Sequence, residues 1–211
     1  MATNAPILQA DGLCFAYPAA PGGVLFEQLS LRVPAGVTLL CGAEGSGKTT
    51  LLQLLAGQLS ASGDIRLKDL SLADQPEAYR RHIAWLDPRD PALDGHTARE
   101  IFAARPAQYP GFDPLALQAH IEGLSLTPHL DKTLLMLSTG SRRKVLLAAV
   151  LASQATLTLL DQPFMALDRP SINYLLELMA QAAQQPDRAC IVADYEAPAE
   201  LALASVIELG A

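Results

Sequence analysis

The sequence predicts an α/β fold, and three observations predict it. Gly42 to Thr49 reads G-A-E-G-S-G-K-T, a full match to the phosphate-cradling pattern G-x-x-x-x-G-K-[ST], with the β-prone run V-T-L-L-C before it and helical apolar spacing after it. Short apolar, β-prone runs alternate with capped or amphipathic helical stretches over the whole chain. A second apolar strand, L-T-L-L-D, ends in a carboxylate at Asp161. The 211 residues suffice for one domain with a sizeable core, and a content of 50% hydrophobic and 18% charged residues excludes disorder.

Taken in order, Ile7 to Phe15 and Leu25 to Val33 read as two strands joined by the Pro/Gly turn Pro18 to Gly23, an N-terminal antiparallel β subdomain. Val37 to Cys41 is the strand entering the phosphate loop, and Thr50 to Leu59 is the helix leaving it. Ile65 to Leu67 and Ile83 to Leu86 are further short strands. A Pro/Asp-rich loop, D-P-R-D-P-A-L-D-G from Asp87, opens a helical insertion. Within it the T-x-x-E box of Thr97 and Glu100 starts one helix, and Asp113-Pro114 starts another. A long apolar helix follows Ser138 and ends near Ser153, before the buried strand Thr156 to Asp161. Asp168-Arg169-Pro170 begins a helix reaching about Ala183. Strand Ala189 to Ala193 and a final helix–strand pair close the chain. The expected organisation is one domain over 1–211, with 1–87 and 138–211 as the core and 88–137 as a helical subdomain.

The loop carries the first chemistry. Its glycines let the N–H groups of Gly42, Ala43, Glu44, Gly45, Ser46 and Gly47 turn inward on phosphate oxygens, and the helix beginning there points its positive end at the same anion. Lys48 is placed to reach the β- and γ-phosphates, Thr49 to hold Mg²⁺, and Thr50 to stand beside them. Asp161 is the expected Mg²⁺ partner. A nucleoside triphosphate with Mg²⁺ is therefore the expected ligand.

Charge and composition narrow the partners. A formal net charge of −7 argues against a nucleic-acid surface. Cys14, Cys41 and Cys190 lie far apart without metal spacing, so reduced thiols, two of them buried in apolar runs, are expected. The first basic residue is Arg32, so the charged start of a secretory signal is missing. The longest apolar candidate for a membrane span, Val145 to Leu160, is broken by Ser153, Gln154, Thr156 and Thr158. A soluble protein is expected.

The segment L-S-T-G-S, Leu137 to Ser141, followed by R-R-K and an apolar helix, resembles the L-S-G-G-Q motif of ATP-binding cassette (ABC) ATPases. Ser138 and Gly140 match, while Thr139 and Ser141 depart. The resemblance covers essentially the whole chain, with the motifs in the family's order, and implies a P-loop NTPase core. It further implies that Ser138, Thr139 and Gly140 close on the γ-phosphate held by a second cassette, that Tyr17 stacks on adenine, and that Ala166-Leu167-Asp168 crosses the dimer interface. It implies a cytoplasmic ATP-binding subunit at the inner face of a membrane. There an integral membrane subunit would dock on the Asp87 loop and the helical insertion.

Three positions depart from the family where the reaction runs. The residue after Asp161 is Gln162, an amide in place of the usual glutamate, and an amide cannot accept a proton. Tyr195 aligns with the strand-end histidine, and Asp87 with the glutamine that follows Ile83-Ala84-Trp85-Leu86. Asp87 could still approach Mg²⁺ through a water. The pattern implies an ATPase with binding parts kept and turnover slowed. The alternatives are normal turnover with another residue positioning the water, a non-hydrolysing partner of a competent cassette, and a soluble ABC ATPase outside transport.

Overall fold

The computed structural model describes residues 5–18 and 23–210, so residues 19–22 of the expected Pro18 to Gly23 turn lie outside the described residues. In chain order, β1 (Leu8–Phe15), β2 (Phe26–Val33), β3 (Gly36–Gly42) and α1 (Lys48–Leu55) lead into β4 (Ser62–Leu67), β5 (Leu70–Ser71), α2 (Pro76–Arg80) and β6 (Ile83–Ala84). Next come α3 (Ala98–Gln108), α4 (Pro114–Gly123), α5 (Thr139–Leu151), β7 (Leu157–Asp161), α6 (Arg169–Ala182), β8 (Ala189–Ala193) and β9 (Ser205–Leu209).

Strands β6, β7, β8 and β3, largely apolar on both faces, form with the edge strand β9 a five-stranded parallel sheet in the order β6-β7-β8-β3-β9. Such runs suit strands covered on both sides. Leu157, Leu159 and Ile191 point into one apolar cluster, which continues through α1 into β1, β2 and β4. Leu160, Cys190 and Val192 point the other way, into a cluster shared with α3, α4, α5 and α6. The N-terminal sheet is antiparallel and has four strands in the order β2-β1-β4-β5, two more than the sequence suggested. Register decides the rest. Leu40 pairs with Ala193 and Ala193 with Asp161, so the phosphate loop, Tyr195 and Gln162 all leave the sheet at one edge, beyond the carboxyl ends of parallel strands.

The expected helix starts are present as capping contacts. Thr97 Oγ1 accepts the Glu100 N–H at 3.2 Å while Glu100 Oε2 accepts the Thr97 N–H at 2.7 Å. Asp113 Oδ1 caps α4 through the Leu115 and Ala116 N–H groups. Two expectations fail. The helix after the phosphate loop stops at Leu55 rather than Leu59, because the Leu55 carbonyl accepts the buried Tyr79 hydroxyl at 2.7 Å and the Arg80 guanidinium holds the Gly57 carbonyl. The final helix does not form: residues 194–204 are irregular, with Pro198 disfavouring helical geometry before it. Of the cysteines only Cys190 is buried, and burial pushes its thiol up to about 12.

Asp168 caps α6 by accepting the Ser171 N–H at 2.9 Å and pairs with Lys144 at 2.6 Å. The Lys144 and Ser171 hydrogen bonds hold its carboxyl near 2, below the ordinary 3.8. Replacing Asp168 with Ala should cost about 1 kcal/mol, the usual worth of such a cap. The folded-state pKa is depressed, so this advantage is present above about pH 4 and is lost as pH falls toward 2. The difference between the urea midpoints of the two proteins should be constant above about pH 5, shrink below about pH 4 and close only as pH reaches about 2.

Candidate functional site

The loop between β3 and α1 folds into a cradle because Gly42 and Gly47 have no room for a side chain: at Gly42 a Cβ would stand 2.7 Å from the Leu209 carbonyl oxygen. Gly47 sits at φ +94°, and a Cβ there would stand 2.8 Å from Phe26. Lys48 is buried, and its ammonium donates to the Gly42 and Ala43 carbonyls at 2.7 and 2.9 Å. The Tyr195 ring covers the same ammonium, with Nζ 4.6 Å from the ring centroid. Ser46 Oγ is buried without a hydrogen-bond partner among the described residues. A cavity of about 590 Å³ opens over this cradle and is lined by Glu44 to Thr50 with Asp161 and Gln162. Tyr17 stands at its rim, edge-on to Phe15 with centroids 4.9 Å apart, its hydroxyl 2.9 Å from Thr50 Oγ1.

Below the cradle, residues 112 apart in sequence meet: Thr49 Oγ1 donates to Asp161 Oδ2 at 2.7 Å. Arg89 joins them, its Nη2 lying 2.8 Å from Thr49 Oγ1 and 2.9 Å from Asp161 Oδ2. Asp87 is elsewhere. Its carboxylate accepts the Arg89 N–H at 2.8 Å and faces Gln53 Nε2 at 3.4 Å, and it does not line the cavity. Arg89 carried a signal in the sequence, a cation in the loop after the strand, but the alignment drew attention to Asp87.

The ends of β7 and β8 are fixed from behind. Arg143, buried in α5, donates Nη1 to the Asp161 carbonyl at 3.0 Å and to the Gln162 carbonyl. Gln162 is held at φ +46° and donates its N–H to Ala193 at 2.8 Å. Burial raises the Asp194 carboxyl, and the charge of Asp161 adds to the rise. Arg143 is a site residue that sequence reasoning missed, since it reads as one member of an ordinary R-R-K run.

Ser138, Thr139 and Gly140 stand outside this cavity. Ser138 caps α5, its Oγ accepting the Ser141 N–H at 3.1 Å. Gly140 has a packing reason to be glycine: a Cβ would lie 2.3 Å from the Ala166 carbonyl oxygen. The chain thus brings Tyr17, the phosphate loop, Asp161, Gln162 and Tyr195 together, and leaves the L-S-T-G-S segment and Asp87 apart from them.

Residues 26–165 match the family model described as ABC transporter. A cytochrome c biogenesis ATP-binding export protein, CcmA, from Pseudomonas putida is 34% identical over 164 residues, 77% of this chain and 78% of that protein. The glutathione/L-cysteine transport system ATP-binding/permease protein CydD of Escherichia coli is 31% identical over 198 residues, 87% of this chain, which spans only 32% of that relative's length. Among solved structures, an ATP-binding subunit of an ABC transporter superposes with a TM-score of 0.83 at 24% identity, over 96% of this chain and 85% of the other. A bacterial Atm1-family ABC exporter with ATP bound gives 0.77 at 21% identity, over 99% of this chain and 38% of the other. At these identities the structural likenesses establish the fold alone.

Lys48 is the cation that the cradle buries. Lys48→Ala should weaken ATP binding by more than about tenfold, as charged hydrogen bonds are worth about 1.5–3 kcal/mol. Titration with a fluorescent ATP analogue checks this, and unchanged affinity would remove the cradle from the binding site.

Proposed function

The chain belongs to the ABC transporter family of ATP-binding proteins, and from that premise we propose that it is the ATP-binding subunit of a membrane transporter, binding MgATP between two cassettes and hydrolysing it slowly. One observation carries the nucleotide chemistry: Lys48, Thr49 and Asp161 converge under a single cavity from distant parts of the sequence. On this reading Tyr17 stacks on the adenine, and the loop from Gly42 through Thr50 holds the phosphates. The hard oxygens of Thr49 and Asp161 would hold a divalent ion once the Arg89 guanidinium, which contacts both, has moved aside, with phosphate oxygens and water filling its remaining positions. Bound there, Mg²⁺ would neutralise charge on the phosphates.

The chain's own residues set the rate. Gln162 can orient a water by hydrogen bonds but cannot take its proton, and general bases contribute about 10²–10⁴ in rate. Tyr195, a neutral ring lying over Lys48, adds no charge at the γ-phosphate.

The exposed start of α5 supports a two-chain arrangement. Ser138 and Gly140 lie beside Ala166, and the apolar side chains of Met136 and Met165 are exposed around them. We assign this face to the partner cassette's γ-phosphate. A groove of about 610 Å³ between α2 and α3, lined by Arg80, Arg81, Trp85, Leu86, Arg105 and Tyr109, is the proposed seat of the integral membrane subunit. That seat lies between the proposed core, 1–87 and 138–211, and the proposed helical subdomain, 88–137. The relative CcmA is an ATP-binding export protein, which supports a transporter role. No helix among the described residues is long and apolar enough to cross a membrane, so attachment to the cytoplasmic face would run through the partner.

Two measurements test the reading. Ser138→Arg should leave nucleotide binding by the monomer intact and abolish ATP-dependent dimerisation in light scattering, whereas an unchanged dimer would reject the trans site. Gln162→Glu should raise steady-state phosphate release, by less than about 10²-fold because Tyr195 remains. A wild-type rate equal to or above that of Gln162→Glu would reject slow turnover.

A further inference from the structure

We infer that Arg89 is a tethered cation standing in the metal position, so that this chain binds nucleotide with little dependence on a divalent ion. The inference rests on the nucleotide-binding reading above and goes beyond it. Arg89 Nη2 is 2.8 Å from Thr49 Oγ1 and 2.9 Å from Asp161 Oδ2, the two oxygens that would hold Mg²⁺. An arginine cannot give up its proton, so the charge there is permanent.

The placement is built rather than incidental. The Asp87 carboxylate fixes the Arg89 backbone N–H at 2.8 Å. From the first turn of α5, Arg142 holds the same loop, donating to the Pro88 carbonyl at 3.0 Å, to the Asp90 carbonyl at 2.8 Å and to the Asp94 carboxylate. Nη2 alone makes both contacts with Thr49 and Asp161. Nε and Nη1 make no hydrogen bond among the described residues, and Arg89 lines the cavity over the cradle. A planar fork with spare donors beside a phosphate site matches phosphate oxygens, as a bound metal would. A divalent ion entering between Thr49 and Asp161 must first displace the guanidinium, so it gains less than it would in a site without one.

The test is the ratio of ATP-analogue dissociation constants in EDTA and in excess Mg²⁺, for the wild type and for Arg89→Gln. The Arg89 side chain is 66% exposed, so its loss removes no core packing, and thermal melting verifies the fold. The wild-type ratio should stay under about threefold, while Arg89→Gln should lose about tenfold or more in EDTA. Arg89→Lys, which keeps the charge on a shorter stem, should fall between them. A wild-type ratio equal to or larger than that of Arg89→Gln overturns the inference and leaves nucleotide binding standing. Absence of binding in both buffers overturns the nucleotide reading itself, and this inference with it.

Discussion

A carboxylate buried at the end of a strand must be answered by positive charge or by hydrogen-bond donors, and the rest of this site is arranged around that demand at Asp161. Its side chain is only 4% exposed. Three groups from three parts of the chain answer it: the Thr49 hydroxyl, the Arg89 guanidinium and, through its own backbone carbonyl, Arg143. Burial, with the charge of Asp161, raises the neighbouring Asp194 carboxyl. Register makes the arrangement possible, because β7, β8 and β3 end level with one another.

The run Arg142-Arg143-Lys144 links that carboxylate to the rest of the molecule. Three consecutive cations on the first turns of α5 reach three different segments: Arg142 the loop 88–94, Arg143 the end of β7, and Lys144 the cap of α6 at Asp168. Consecutive helical residues point about 100° apart, so one short stretch can reach several segments at once. Ser138 caps the same helix. On the proposed two-cassette reading, the surface that meets the partner is therefore tied by single side chains to the loop carrying Arg89 and to the end of the strand carrying Asp161. A rotation of α5 would be felt at both.

Much of this was legible in the sequence wherever a local pattern has one physical solution. The phosphate loop, the apolar strand ending at Asp161 and the caps at Thr97, Asp113, Ser138 and Asp168 each follow from residues within about one helical turn or one strand. Features settled by tertiary contact were not legible. The end of α1 depends on Tyr79 and Arg80 from another helix. The loop after β6 is irregular, and its Pro88 and Asp90 carbonyls are held from α5. Counting along the strand therefore pointed to Asp87, while the side chain that reaches Asp161 is two residues later. R-R-K carried no assigned role in the sequence, and the fold gives each cation a partner.

Gln162 and Arg89 act on the site in the same electrostatic direction. Phosphoryl transfer depends on stabilising charge that develops on the transferring group and on the attacking and leaving oxygens. On the proposed reading, Gln162 in place of a glutamate removes a negative charge from beside the attacking water, and the Arg89 guanidinium, lying against Thr49 and Asp161, adds positive charge. Both features make the cavity more attractive to a polyphosphate in its ground state. The amide does not help the transition state selectively, because it takes no proton. Binding that is equal in ground and transition states tightens the complex without accelerating it. On that proposed reading, the amide at Gln162 that favours holding the nucleotide disfavours turning it over.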